Sequence, residues 1–97
     1  MHVLAVVYDL HIPGCQSLKE RRSVLRPLLS DLARRFGVSA AETGHTDLWQ
    51  RAEVGMAVVS GQPGQCRSLA DDVDRFIWSI PEIEVVGSSS HWLNTEE

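Results

Sequence analysis

Two strand–helix–strand patterns follow one another along 97 residues, and few folds accept that order. Val3 to Leu10 is almost continuously apolar and β-branched, as a buried central strand is. His11-Ile12-Pro13-Gly14 breaks it with the two strongest turn residues. Ser17-Leu18-Lys19-Glu20 then has the form of a capping box, in which a hydroxyl and a carboxylate satisfy the first free amides of a helix. Leu18, Leu25, Leu28, Leu29, Leu32 and Phe36 fall within about a third of the helical wheel, so one face is core. Gly37 supplies the left-handed stop. Pro27 sits inside this helix on the side opposite the leucines, which predicts a bend near Ser23 that spares the apolar stripe.

The second half repeats the pattern. Val38 to Glu42 is a weaker strand, diluted by Ala and Ser. A link from Gly44 to Arg51 leads to a third strand, Ala52 to Ser60. Gly61-Gln62-Pro63-Gly64 is a loop, with Pro63 suited to the first turn of the next helix. Cys66, Leu69, Val73, Phe76, Ile77 and Ile80 recur at helical spacing, with Asp71, Asp72, Asp74 and Arg75 on the outer face and Pro81 at the end. Glu82 to Val86 begins the fourth strand, which continues through His91-Trp92-Leu93, and residues 94–97 form a frayed tail.

The order β-α-β-β-α-β is that of the ferredoxin-like split pattern. It predicts a single α+β domain over residues 1–97, a four-stranded antiparallel sheet with two helices on one face. Right-handed crossovers put strand 3 between the parallel strands 1 and 2, with strand 4 beside strand 1. The loop before helix 1 and the link between strands 2 and 3 then share one end of the sheet. The loop at 62–65 lies at the other end. Cys15 and Cys66 are therefore expected too far apart for a disulfide, which needs Cα atoms within about 7 Å. Two reduced thiols suit a cytoplasmic protein.

Composition narrows the classes. A chain of this size buries about 65% of its unfolded surface, enough for a core without staples. There is no apolar run of about 18 residues to span a membrane. Met1 to Asp9 lacks the basic start and cleavage site of a signal peptide. The net charge is -4, yet residues 17–36 hold six basic and two acidic side chains, a net of +4. The whole molecule repels nucleic acid at long range, while one helix attracts it.

Function is expected where unusual chemistry collects in a loop. Gly44-His45-Thr46-Asp47-Leu48-Trp49-Gln50-Arg51 holds more than a turn requires. Trp49 is suited to stacking on a base or inserting into a partner, and Arg51 adds charge. Equally, Trp49 could cap the sheet edge. His45 and Asp47, with Asp9 and His11 near, have the types of a metal or acid–base site but no ligand motif; side-chain bonds within a turn are their commoner use. Lys19, Arg22 and Arg26 form one flank of helix 1, a row able to follow phosphates and also the ordinary solvated flank of an amphipathic helix. Arg34 and Arg35 complement the helix dipole. Cys15 lies near a helix N-terminus, without the spacing of a nucleophile and its base. No catalytic constellation, metal site or cofactor is expected.

The stretches Ser17-Leu18-Lys19-Glu20-Arg21-Arg22-Ser23-Val24-Leu25, Val38-Ser39-Ala40-Ala41-Glu42 and Gly44 through Glu53 resemble the YlxP-like bacterial family. The resemblance covers nearly the whole chain. It implies a small ferredoxin-like domain without an established activity. In several bacteria the family's gene sits among those for transcription and translation factors and a ribosome-binding factor, which implies a place near translation or ribosome maturation. The family usually has a longer-chain residue where Pro27 stands.

Both alternating sets of strand 1 are apolar: Val3, Ala5, Val7 and Leu4, Val6, Tyr8, Leu10. In strand 3, Val54, Met56, Val58 alternate with Gly55, Ala57, Val59. Two helices cover one face, so the other is expected to meet a partner, most simply in a homodimer through the sheet. Two functions follow. One is a binding module touching RNA or ribosomal protein through Lys19, Arg22, Arg26, His45, Asp47, Trp49 and Arg51. The alternative is a homodimeric interaction or regulatory protein without RNA contact.

Overall fold

Alternation in the first strand decides which side of the sheet is dry. In the computed structural model, which describes residues 1–94, Leu4, Val6, Tyr8 and Leu10 of β1 (His2–His11) are all buried. Ala52, Val54, Met56 and Val58 of β3 (Arg51–Ser60) are buried beside them. Two helices close over this face. α1 (Leu18–Phe36) contributes Leu25, Leu28 and Leu32; α2 (Pro63–Trp78) contributes Cys66, Val73 and Ile77. With β2 (Ser39–Gly44) and β4 (Glu84–Asn94), the elements follow the order β-α-β-β-α-β. The sheet order is β2-β3-β1-β4, each neighbouring pair antiparallel. This is the ferredoxin-like α+β fold expected from the sequence.

Local chemistry sets the helix ends. Ser17 Oγ accepts from the Glu20 amide at 3.1 Å, while the Glu20 carboxylate accepts from the Gln16 amide at 2.7 Å, one residue before the cap. Gly37 stops α1 at φ 68, its N–H bonded to the Ala33 carbonyl. Pro27 is exposed and the helix runs on through it. Arg35 lies over the Phe76 ring at 4.7 Å, joining the two helices, and Arg34 pairs with Asp31 at 2.8 Å.

Several details differ from the sequence reading. Leu18, placed on the core stripe, is 40% exposed, and the buried position one turn on is held by Arg21. α2 ends at Trp78, before Pro81, where the Ser79 hydroxyl donates to the Phe76 carbonyl at 2.6 Å. β4 is continuous across Gly87-Ser88-Ser89-Ser90, because its backbone pairs with β1 along the whole strand. It reaches Asn94, opposite His2; residues 95–97 of the expected tail lie outside the described residues. Asp74, placed on the outer face of α2, turns inward and accepts from the Tyr8 hydroxyl at 3.0 Å. Burial and then the Asp74 bond push the Tyr8 phenol well above its ordinary pKa. Cys15 and Cys66 are both buried and free. Among the described residues no helix is long and apolar enough to cross a membrane.

Pro27 gives a direct check on α1. It lacks the N–H that would bond the Ser23 carbonyl, and its side chain is exposed. Pro27→Ala is expected to raise unfolding free energy by about 1–3 kcal/mol, read by urea denaturation. An unchanged or lower value would show that the helix depends on the proline's bend.

Candidate functional site

The buried charged side chain among the described residues is Arg21, 4% exposed. From the second turn of α1 it reaches the ends of the link between β2 and β3. Its Nη2 donates to the His45 carbonyl at 2.9 Å, to the Arg51 carbonyl at 3.2 Å and to the Glu42 carboxylate; its Nε donates to the Arg51 carbonyl at 3.3 Å. A non-strand link has backbone carbonyls with no ladder partner, and inward-facing ones need donors. One guanidinium, with its fixed fork of N–H groups, meets that need at both ends of the link.

Further bonds fix the rest of the link. The Ile12 amide donates to the Gln50 carbonyl at 2.8 Å, and Gln50 Nε2 donates to the Cys15 carbonyl at 3.2 Å. The Leu48 amide closes a turn on the His45 carbonyl at 3.2 Å. His45 has φ 57, a left-handed conformation that His adopts more readily than most side chains. A Cβ on Gly44 would meet Glu53 Oε2 at 2.9 Å, so a larger residue there would displace the Glu53 carboxylate. Both irregularities of the sheet lie at this end, between Glu42 and Gly44 and between Asp9 and Leu10. Bulges of this kind re-aim side chains beside functional sites.

The result is a fixed backbone with apolar side chains turned outward. Leu48 is 45% exposed and Trp49 is 51% exposed. Trp49 therefore lies outside the buried core. Lys19, Arg22 and Arg26 on α1 are exposed, and among the described residues no ion pair engages them. They begin on the same turns of α1 from which Arg21 grips the link. Asp47 is also exposed and without an ion pair among the described residues.

The remaining candidates form a separate group on the open face. Arg51 Nη2 donates to Asp9 Oδ2 at 2.6 Å, and His45 Nε2 lies 3.9 Å from Asp9 Oδ1. Asp9 Oδ1 and Arg51 Nε are both shut off from solvent without a hydrogen-bond partner. The Arg51 hydrogen bond is the main reason the Asp9 carboxyl lies below its ordinary pKa. His11 turns away to Glu84, Nδ1 to Oε2 at 3.1 Å. The structure thus gathers Asp9, His45 and Arg51, and leaves His11 and Asp47 outside that group. Among the described residues no three His, Cys, Asp or Glu side chains are placed to hold a metal ion. The Cys15 thiol is enclosed and donates to the Ser17 carbonyl at 3.3 Å, so it does not face the basic row.

Arg21, Gln50 and Asp9 carry this architecture; the sequence reading weighs Asp9 only as a neighbour of His45 and Asp47 and gives Arg21 and Gln50 no role of their own. For Arg21 a signal existed: it falls on the apolar stripe, four residues before Leu25 and seven before Leu28, where a guanidinium has to be paired.

Fold and site together define a small ferredoxin-like domain that displays a link anchored by Arg21, with Leu48 and Trp49 exposed, and an α1 whose exposed Lys19, Arg22 and Arg26 have no ion-pair partner among the described residues. The profile of a family described as "Protein of unknown function (DUF503)" matches residues 3–90, and the chain belongs to that family. It is similar to the "Uncharacterized protein YlxP" of Bacillus subtilis (strain 168), 38% identical over 87 residues, which cover 90% of this chain and 89% of that protein.

Two predictions test the site's construction. Arg21→Met keeps most of the side-chain volume but leaves the Glu42 carboxylate and the Arg51 carbonyl without this donor, and the His45 carbonyl with the Leu48 amide alone. A loss of about 3 kcal/mol is expected in chemical denaturation, whereas a loss under about 1 kcal/mol would mean that the link holds itself. The Asp9–Arg51 pair predicts a pH dependence. Because the folded Asp9 pKa is depressed, its contribution is fully present above the ordinary value of about 3.9 and is lost as pH falls through the lower folded value. Both side chains are more than a third exposed, so solvent screens the pair and the effect is small. Asp9→Asn should flatten the acid limb of the stability curve below the ordinary carboxylate range. An unaltered limb would contradict the pairing.

Proposed function

We propose that this protein is a binding module that touches ribosome-related RNA through the first turns of α1 and the 44–51 link, near ribosome maturation or translation. The observation that carries the reading is the pairing of an exposed Leu48–Trp49 knob on a locked backbone with the unpaired Lys19, Arg22 and Arg26 row. A preorganised aromatic side chain offers stacking at little ordering cost. A row of free cations offers phosphate contacts, and in an acidic chain it concentrates attraction on one face. His45 and Asp47 shape the same link. Arg51, engaged by Asp9, serves it from below through its carbonyl. The gene neighbourhood of the family points the same way. Binding through the sheet face in the manner of an RNA-recognition sheet is disfavoured, since that mode needs exposed stacking rings and Tyr8 points into the core.

Cosedimentation with ribosomal subunits across a salt series tests the proposal. Each lost phosphate contact lowers the slope of log affinity against log salt by about 0.7–0.9. Lys19→Glu with Arg22→Glu should therefore weaken binding and flatten the slope by roughly 1.4–1.8. Trp49→Ala should leave the melting temperature near the wild-type value and cost about 1–3 kcal/mol of affinity. Wild-type binding by both folded variants would remove this surface from the account. The same change in Trp49 producing a core-sized stability loss would return it to a structural role.

A further inference from the structure

We infer that the open face of the sheet is covered by a second copy of this chain, stacked antiparallel about Ala57. The face is built in rows across the strands. Val3 lies between Val59 and Leu93; Ala5 lies between Ala57 and His91; Val7 lies between Gly55 and Ser89. Val59 is 63% exposed and Leu93 59% exposed, on a domain whose other face already holds the core. Charge begins only one row further, where Asp9 faces Glu53. A shallow depression of about 340 Å³ lies over Ala5, Val7, Gly55 and Ala57.

This order of rows is self-complementary. Stacking two copies antiparallel, with the Ala5–Ala57 rows crossing at the centre, lays each valine–leucine row on the partner's row of Gly55, Val7 and Ser89. Large side chains then meet the smallest, as packed layers require. The Asp9–Glu53 row falls beyond the start of the partner's β1 and stays in water, so no charge is buried. Sheets stack in this way about 10 Å apart. His91 is the one aromatic or basic side chain on these rows, too little for a nucleic acid to hold there.

The size of the face sets the strength of the contact. β2 begins at Ser39, opposite Ala57, so three strands overlap; at about 4.8 Å per strand and about seven residues of about 3.3 Å they give roughly 330 Å² per copy in projection. That is smaller than a standard stable interface, so the dimer is weak and reversible. The inference is independent of the proposed RNA contact, which uses α1 and the 44–51 link, and either can fail alone.

Sedimentation equilibrium of the whole chain between about 5 and about 500 µM is the test, a range that brackets a reversible contact. A monomer–dimer equilibrium is expected. Ala57→Glu should shift it by at least tenfold toward monomer, while Lys19→Glu should leave it unchanged. Should Ala57→Glu fail to fold, Val59→Glu carries the same test, since its side chain is already solvent-exposed in the single chain. A monomer at every concentration overturns the inference and leaves the face to a different partner. A dimer indifferent to the folded Glu variants also overturns it, placing the contact elsewhere.

Discussion

The 44–51 link depends on one buried cation. Arg21 draws the carbonyls of His45 and Arg51 and the Glu42 carboxylate onto a single guanidinium. Desolvating such a group is costly unless its donors are matched, and here the backbone supplies most of the matches. Arg is suited to this in a way that Lys is not. A planar fork can serve two carbonyls and a carboxylate together, whereas an ammonium is a compact and more strongly hydrated point charge. The left-handed His45, the small Gly44 and the Gln50 bonds follow as ways of completing a turn whose two ends are already fixed.

That fixed frame supports the binding proposed for a loop with exposed Leu48 and Trp49. Ordering a loop on contact subtracts from affinity; a loop ordered beforehand avoids that loss. The arrangement also separates two tasks at one end of the sheet. Arg21 points inward and holds the link. Lys19, Arg22 and Arg26, on neighbouring turns, are exposed and without an ion-pair partner among the described residues. On the open face Arg51 is already committed to Asp9, so the formal positive charge of the link is not the free charge of the site.

Much of the fold was legible because period and punctuation agree. The two apolar sets of β1, the Ser17 cap and the Gly37 stop each point to one structure, and sequences fold reliably when such levels coincide. β4 was legible only in part. Gly87 and three serines have little strand preference, and backbone pairing with β1 overrides that preference. The site was less legible than the fold. The link was conspicuous by its content, but Arg21 was one of six basic residues on its helix and drew no notice beside the exposed ones. Asp74 was assigned to the outer face by its charge alone, when a buried tyrosine across the interface required an acceptor. In both cases the missing information was the polar partner, which lies 21 to 66 residues away in sequence.

The direct measurement of this account is residue-resolved amide hydrogen exchange in wild-type protein and in Arg21→Lys. Local opening reports how firmly a segment is held relative to the whole domain. The account predicts that the Leu48 and Ile12 amides, which bond within and onto the link, are protected in the wild type. In the variant they should exchange at least tenfold faster, while the core amides of β1 and β3 keep their protection. Equal protection of the link in both proteins would contradict the claim that Arg21 holds it in place.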